Sequence, residues 1–226
     1  SQTCSDPARY RAAMAYFEQA IALDSTFALA WAQKAFGHMF LYTNGVPTRA
    51  GAEASRQAAE RALALDPSLA SGHLALAAYR ADVNRDFTGA EVELRTALLL
   101  APGAAEIISR AAYNEMSLGQ FDSARVHLER ALQLNPRSIG GRSRLGTVLR
   151  WLRRYPEAEA VLDRARAIRP ADLDLLEERL MVDLARGDLA AAQAVVRTTP
   201  ADVDQTALVS YLGVYQDLYW VLDGAQ

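Results

Sequence analysis

The chain has a single cysteine, Cys4, so no disulfide can form within it and no cluster of thiolates can hold a metal. Lysine is nearly missing too: Lys34 stands alone against 23 arginines, a bias that a GC-rich bacterial genome explains without recourse to function. No run approaches the roughly 18 uncharged apolar residues needed to cross a bilayer, and the start Ser1-Gln2-Thr3-Cys4 carries neither an initiator methionine nor a signal-peptide core. The sequence therefore reads as an excerpt of a longer chain with no membrane-inserted part. Its expected compartment is cytoplasmic, with an extracytoplasmic part of an anchored protein as the alternative. The net charge of −3 gives no general attraction to nucleic acid or anionic lipid.

Enzyme signatures are missing as well. His38, His73 and His127 have no second histidine at the three- or four-residue spacing of a helical metal site. Gly140, Gly141 and Gly146 precede no Lys-Ser or Lys-Thr, and no Gly-x-Ser-x-Gly turn occurs. Asp172, Asp174, Glu177 and Glu178 cluster at an expected helix start, where carboxylates favour the positive end of the helix dipole. The expectation is no catalytic residue, no cofactor and no metal.

What the chain has is apolar content of 51% with 23% charge, enough to bury a core, and a sentence written repeatedly. Residues 59–67, 94–102, 128–136 and 162–170 share a pattern that ends in Pro67, Pro102, Pro136 and Pro170, spaced 35, 34 and 34 apart. An earlier copy at 17–25 lies 42 residues before Pro67, a repeat plus about eight extra residues. Within the copies, Ala90, Leu94 and Ala97 recur as Ala124, Leu128 and Ala131 and again as Ala158, Leu162 and Ala165. Steps of three and four put these on one helical face, small enough for a second helix to approach closely, and the proline ends the helix. Gly119 and Gly187 fall in the short turn between the two helices of a repeat, where a helix end needs positive φ.

The pattern predicts helices over 7–23, 27–42, 49–65, 69–83, 87–100, 104–117, 121–134, 138–152, 155–168, 172–185, 189–197 and 204–222. The segment 42–48, with Asn44-Gly45 and Pro47, is an insertion and the expected mobile loop. The last helix has Tyr211, Leu212, Tyr215, Leu218, Tyr219 and Leu222 and no polar partner helix, so this face is expected to meet more chain or a second copy.

These residues resemble the tetratricopeptide family, whose 34-residue helix-turn-helix unit carries a Trp, Leu-Gly, Tyr, Ala, Phe, Ala, Pro signature. Trp31 fills the Trp position of one repeat, Leu145-Gly146 the Leu-Gly pair of another, and Tyr155 and Phe121 the aromatic turn position. Leu74, Ile108, Arg142 and Leu176 depart from the Trp, and the repeat before residue 204 is degenerate, with Thr199 at a small-residue position and Pro200 early. The resemblance implies an all-α fold, a right-handed superhelix of antiparallel helix pairs. It would form a single array over 1–226: a second helix at 7–25, repeats at 26–67, 68–102, 103–136, 137–170 and 171–204, and a further first helix at 204–222.

In that family the first helix of each repeat lines a concave groove. Carrying its ligand-facing positions over through the proline register gives Ala32, Phe36, Met39 and Phe40, then Gly72, Ala75, Tyr79 and Asp82, then Glu106, Ser109, Tyr113 and Met116. The next two repeats give Gly140, Ser143, Thr147, Arg150 and Trp151, then Asp174, Glu177, Met181 and Leu184. Small residues at early positions would leave room, with Phe36, Tyr79 and Tyr113 as an aromatic stripe, although aromatics at helical spacing also serve as core. The candidate partner site is Phe36, Phe40, Tyr79, Asp82, Tyr113, Met116, Ser143 and Arg150. A peptide would lie across the aromatics, and Arg150 would fork onto a carboxylate or phosphate. Chaperone-tail binding is disfavoured, because the asparagine position of that clamp holds Phe36, Tyr79, Tyr113 and Thr147.

Residues 137–170 carry nine arginines against Glu157, Glu159 and Asp163, or +6, and 171–226 carry three arginines against ten acids, or −7. The basic stretch lacks interleaved aromatics beyond Trp151 and Tyr155, so a solvated face is preferred to nucleic-acid binding. Resemblance to repeat regions of bacterial kinases, adenylate cyclases and transcriptional regulators implies a non-catalytic, regulatory or sensing scaffold that binds protein or peptide. The alternative is a small-ligand or signal-peptide receptor closing round its effector, and self-association through the last helix fits either reading.

Overall fold

A computed structural model describes residues 7–222, so Cys4 lies outside the described residues. Every regular element among them is helical: α1 Pro7–Leu23, α2 Ala28–Asn44, α3 Arg49–Leu65, α4 Ala70–Asp82, α5 Phe87–Leu100, α6 Ala105–Ser117, α7 Phe121–Leu134, α8 Ile139–Trp151, α9 Tyr155–Ile168, α10 Leu173–Ala185, α11 Leu189–Arg197 and α12 Gln205–Val209. The chain divides into two compact units, one ending at Gly119 and the other beginning at Gln120.

In the first unit, consecutive helices pair (α2 with α3, α4 with α5) and the first helices of successive pairs, α2, α4 and α6, pack side by side. Ala90, Leu94 and Ala97 are at most 2% exposed, which places the recurring small-residue face at the helix contact. Ser55 is buried with them, and its hydroxyl donates to the Ala35 carbonyl at 2.9 Å, tying α3 to α2. His73 has both ring nitrogens engaged, Nδ1 with Glu93 at 2.7 Å and Nε2 with the Pro67 carbonyl at 3.0 Å. Its role is to hold α4, α5 and the preceding turn together.

In the second unit α8 pairs with α9 and α10 with α11, and Ala124, Leu128, Ala131, Ala158, Leu162 and Ala165 are all buried. Ser138, Asp172 and Asp188 cap α8, α10 and α11 by accepting from the backbone N–H three residues on. Asp172 therefore plays the capping role expected of the acidic cluster.

The turn inside each repeat is more uniform than the glycines suggest. Gly119 and Gly187 have φ of +74° and +78°, and Arg85 and Arg153, at the equivalent positions, have φ of +56° and +58°. Around three of them the backbone closes on a comparable hydrogen bond: Arg154 N–H and Asp188 N–H reach the carbonyls of Leu149 and Asp183 five residues back, and Asp86 N–H reaches that of Arg80 six residues back. The geometry belongs to the helix ending, and glycine is only its easiest occupant.

The end of the chain departs from the expected continuous helix over 204–222. α12 runs only to Val209, passes into a π-helical turn over Ser210–Tyr215, breaks at Asp217 with φ of +55°, and resumes as a single 3-10 turn at Tyr219–Val221. The break turns the chain back on itself, so that Leu208, Leu212, Leu218 and Val221 join Leu176, Leu180, Ala192, Val195 and Val196 in one buried cluster. Leu212 and Leu218 of the face expected to meet an outside partner are thus covered by the preceding repeat, and Val214, Tyr219 and Trp220 stay exposed.

Candidate functional site

The groove positions carried over from the family divide into two sorts. Ala32, Met39 and Ala75 are at most 5% exposed, so they pack between helices and present nothing to a ligand. Gly72 is buried for the same reason, since a Cβ there would lie 2.8 Å from Leu63. Ala32, Gly72 and Ala75 thus let helices approach one another rather than leave room for a guest, whereas Gly140 is exposed and Ser109 and Ser143 are half-buried.

In the first unit the remaining positions form a graded surface on α2, α4 and α6. Phe36 is half-buried and touches two core clusters, so it serves the interior as well as the face. Phe40, Tyr79 and Met116 are half-buried, and Tyr113 is exposed. Asp82 is already engaged: Arg110 donates to its Oδ1 at 2.9 Å and lies 5.3 Å from the centroid of the Tyr113 ring. Arg110, which the register did not single out, thus links Asp82 to the aromatic face; its place one turn before Asn114 on α6 gave no signal beyond being an arginine.

In the second unit the same helix faces mix Trp151, Met181 and Leu184 with polar side chains that are engaged with one another. Thr147 is buried and donates to Glu178 at 2.8 Å, and Arg150 stands 3.7 Å from the same carboxylate oxygen. Arg150 is therefore not an open cation, because its charge already faces Glu178. Ser143 is half-buried on α8, its carbonyl oxygen 3.1 Å from the Thr147 hydroxyl oxygen. Tyr211 donates to Asp174 at 2.6 Å and lies 2.9 Å from Glu177. Asp174 and Glu177 thus anchor the C-terminal segment, beyond any part they play at the start of α10. Burial pushes the Glu177 carboxyl above its ordinary range, with Glu178 and Asp174 adding to the rise, while the Tyr211 hydrogen bond and Arg150 oppose it. Burial, and the hydroxyl's hydrogen shared between the Asp174 and Glu177 carboxylates, raise the Tyr211 phenol in turn.

Among the described residues no three His, Cys, Asp or Glu side chains group closely enough to hold a metal ion, and no helix is long and apolar enough to cross a membrane.

Two family models, each described as tetratricopeptide repeat, match residues 115–180 and 1–27. The chain carries tetratricopeptide repeats. Solved structures agree with the fold of this tetratricopeptide-repeat chain. YrrB, a TPR protein with an unusual peptide-binding site, superposes with a TM-score of 0.65 at 18% identity, over 88% of this chain and 97% of that one. PilW, a widely conserved type IV pilus biogenesis factor, gives 0.71 at 18% identity over 93% and 89%. PilF of Pseudomonas aeruginosa gives 0.65 at 19% identity over 88% and 87%. At such identities the likeness is one of fold. No curated protein matches the chain in sequence.

Proposed function

We propose that this tetratricopeptide-repeat chain is a non-catalytic scaffold that binds a protein or peptide along the first-helix faces of its repeats and serves a regulatory or sensing role in a larger bacterial protein. The observation that carries the reading is the aromatic face of the first unit. Phe36, Phe40, Tyr79 and Tyr113 keep partly accessible rings on three neighbouring helices, with Met116 beside them. Aromatic side chains give large contact area at low entropic cost, and they dominate interface energies where they meet a partner. Stacked helix pairs present such faces as extended binding surfaces, and YrrB, of like fold, is itself described as a peptide binder.

The Asp82–Arg110 pair beside Tyr113 supplies polar recognition at the same face. In the second unit Ser143 and Arg150 are the corresponding contacts. Arg150, loosely held at 3.7 Å from Glu178, exchanges that carboxylate for one on the partner. The test is a pull-down of the full-length partner set followed by titration of the captured partner against Tyr113→Ala and Arg150→Ala. Each substitution is expected to weaken binding by roughly tenfold or more. Unchanged affinity in both would overturn the reading.

A further inference from the structure

The insertion that lengthens one repeat builds a cavity of about 220 Å³ in the first unit, and none of the groove positions is among the residues that line it. Arg11 of α1 forms one side, His38, Leu41 and Tyr42 of α2 another, and Val46 and Thr48 of the inserted segment close the rest. Without the roughly eight extra residues Val46 and Thr48 would be missing and the space would be open. Segments that lengthen one repeat map to loops on one face, and such loops often carry the binding function.

The chemistry of the walls is lopsided. Among the described residues Arg11 has no ion pair or hydrogen bond, and no Asp or Glu lines the cavity. Glu18, the carboxylate of α1 that could have served, is taken by Lys34 at 3.1 Å. His38 is half-buried, and burial followed by the nearby Lys34 holds its pKa below the usual imidazole range. It is therefore a neutral ring at pH 7, with one N–H to donate. Leu41, the Tyr42 ring and Val46, which is 80% exposed, supply apolar surface alongside these polar groups. The volume lies below the roughly 300–1,000 Å³ of sites for drug-sized molecules, so the guest must be small.

We propose that this cavity binds a small monocarboxylate with an apolar body, its carboxylate on the Arg11 guanidinium and the His38 N–H and its body against Leu41, Tyr42 and Val46. An arginine meets a carboxylate with two parallel charge-assisted hydrogen bonds, the geometry in which its fork is strongest. The apolar walls select against hydrated inorganic anions, which gain nothing from them. This site is independent of the peptide surface: either reading can fail while the other stands.

Benzoate is the probe, titrated into the isotopically labelled 226-residue chain and followed by amide chemical shifts. Saturable shifts centred on Gly45 and Gly51, which also line the cavity, are expected. Benzyl alcohol, with the ring but no charge, and inorganic phosphate, with charge but no ring, should each bind about tenfold more weakly or worse, and Arg11→Gln should weaken benzoate by about tenfold. His38→Gln, which keeps an N–H, should bind nearly as the parent does, and His38→Leu should not. Arg11 is exposed, so its substitution leaves the unfolding temperature unchanged and the loss is read on a folded chain. Absence of saturable shifts, shifts centred elsewhere, equal affinity for either control, or indifference to Arg11→Gln would each overturn the proposal.

Discussion

Leu162 of α9 occupies the space that a side chain on Gly146 of α8 would need: a Cβ built there would stand 2.5 Å from Leu162 Cγ and 2.7 and 2.8 Å from its two methyl carbons. The Leu-Gly pair of the repeat signature is thereby explained as a contact between two helices. Leu162 is fully buried and cannot swing away. Gly146→Ala should destabilise the second unit by about 1–3 kcal/mol through overpacking. Chemical denaturation checks this, and a double-mutant cycle with Leu162→Ala should return a coupling of opposite sign to the single costs. Additive effects would show that the two residues do not compete for the same space.

Arg153 sits in the left-handed region at φ of +58°, in the turn where Gly187 serves the next repeat at φ of +78°. A non-glycine residue there costs about 1–2 kcal/mol, and the extra freedom of glycine in the unfolded chain offsets roughly half. Arg153→Gly should therefore stabilise the second unit by roughly 0.5–1 kcal/mol, read as a shift of the urea midpoint at constant slope. A loss of stability would mean that the Arg153 side chain makes a contribution its exposure conceals.

Glu177 and Asp183 both have carboxyls raised by burial above their ordinary values of 4.5 and 3.8. The folded state therefore binds their protons more readily than the unfolded chain. Their contribution to stability is unfavourable at neutral pH and improves as pH falls through the raised folded-state value toward the ordinary one. Glu177→Gln should remove its share of that slope and stabilise the second unit at pH 7. Tyr211→Phe should push the Glu177 carboxyl higher still, since the phenol donates to it at 2.9 Å. Carboxyl carbon shifts followed across pH measure both effects. A Glu177 titrating at or below 4.5 in the folded chain would contradict them.

Leu212 is fully buried in the cluster that the returning C-terminal segment makes with α10 and α11. Leu212→Ala should cost about 2–5 kcal/mol, as large-to-small changes in a packed core do. Light scattering at two concentrations then separates the covered face from what remains outside. If the parent chain self-associates and Trp220→Ser abolishes that association, the residual exposed patch of Val214, Tyr219 and Trp220 is its site.

Sequence alone determined the helix pairs and the two glycine turns, because these rest on local rules: the period of an α-helix, the place where proline stops it, and the freedom of glycine at positive φ. The faces built from Ala90, Leu94 and Ala97 and their recurrences were legible because a repeat needs the same contact each time. What only the tertiary structure decided are relations between residues far apart in the chain or against local expectation. Among these are Arg85 and Arg153 in a glycine's conformation, Arg110 taking Asp82, Tyr211 reaching Asp174 and Glu177, and the break at Asp217. The candidate groove was half readable for the same reason. The register places Phe36, Tyr79 and Tyr113 on equivalent turns, but whether a residue there faces a neighbouring helix, as Ala32 and Ala75 do, or stays accessible depends on how closely two backbones approach, which a one-dimensional pattern does not encode.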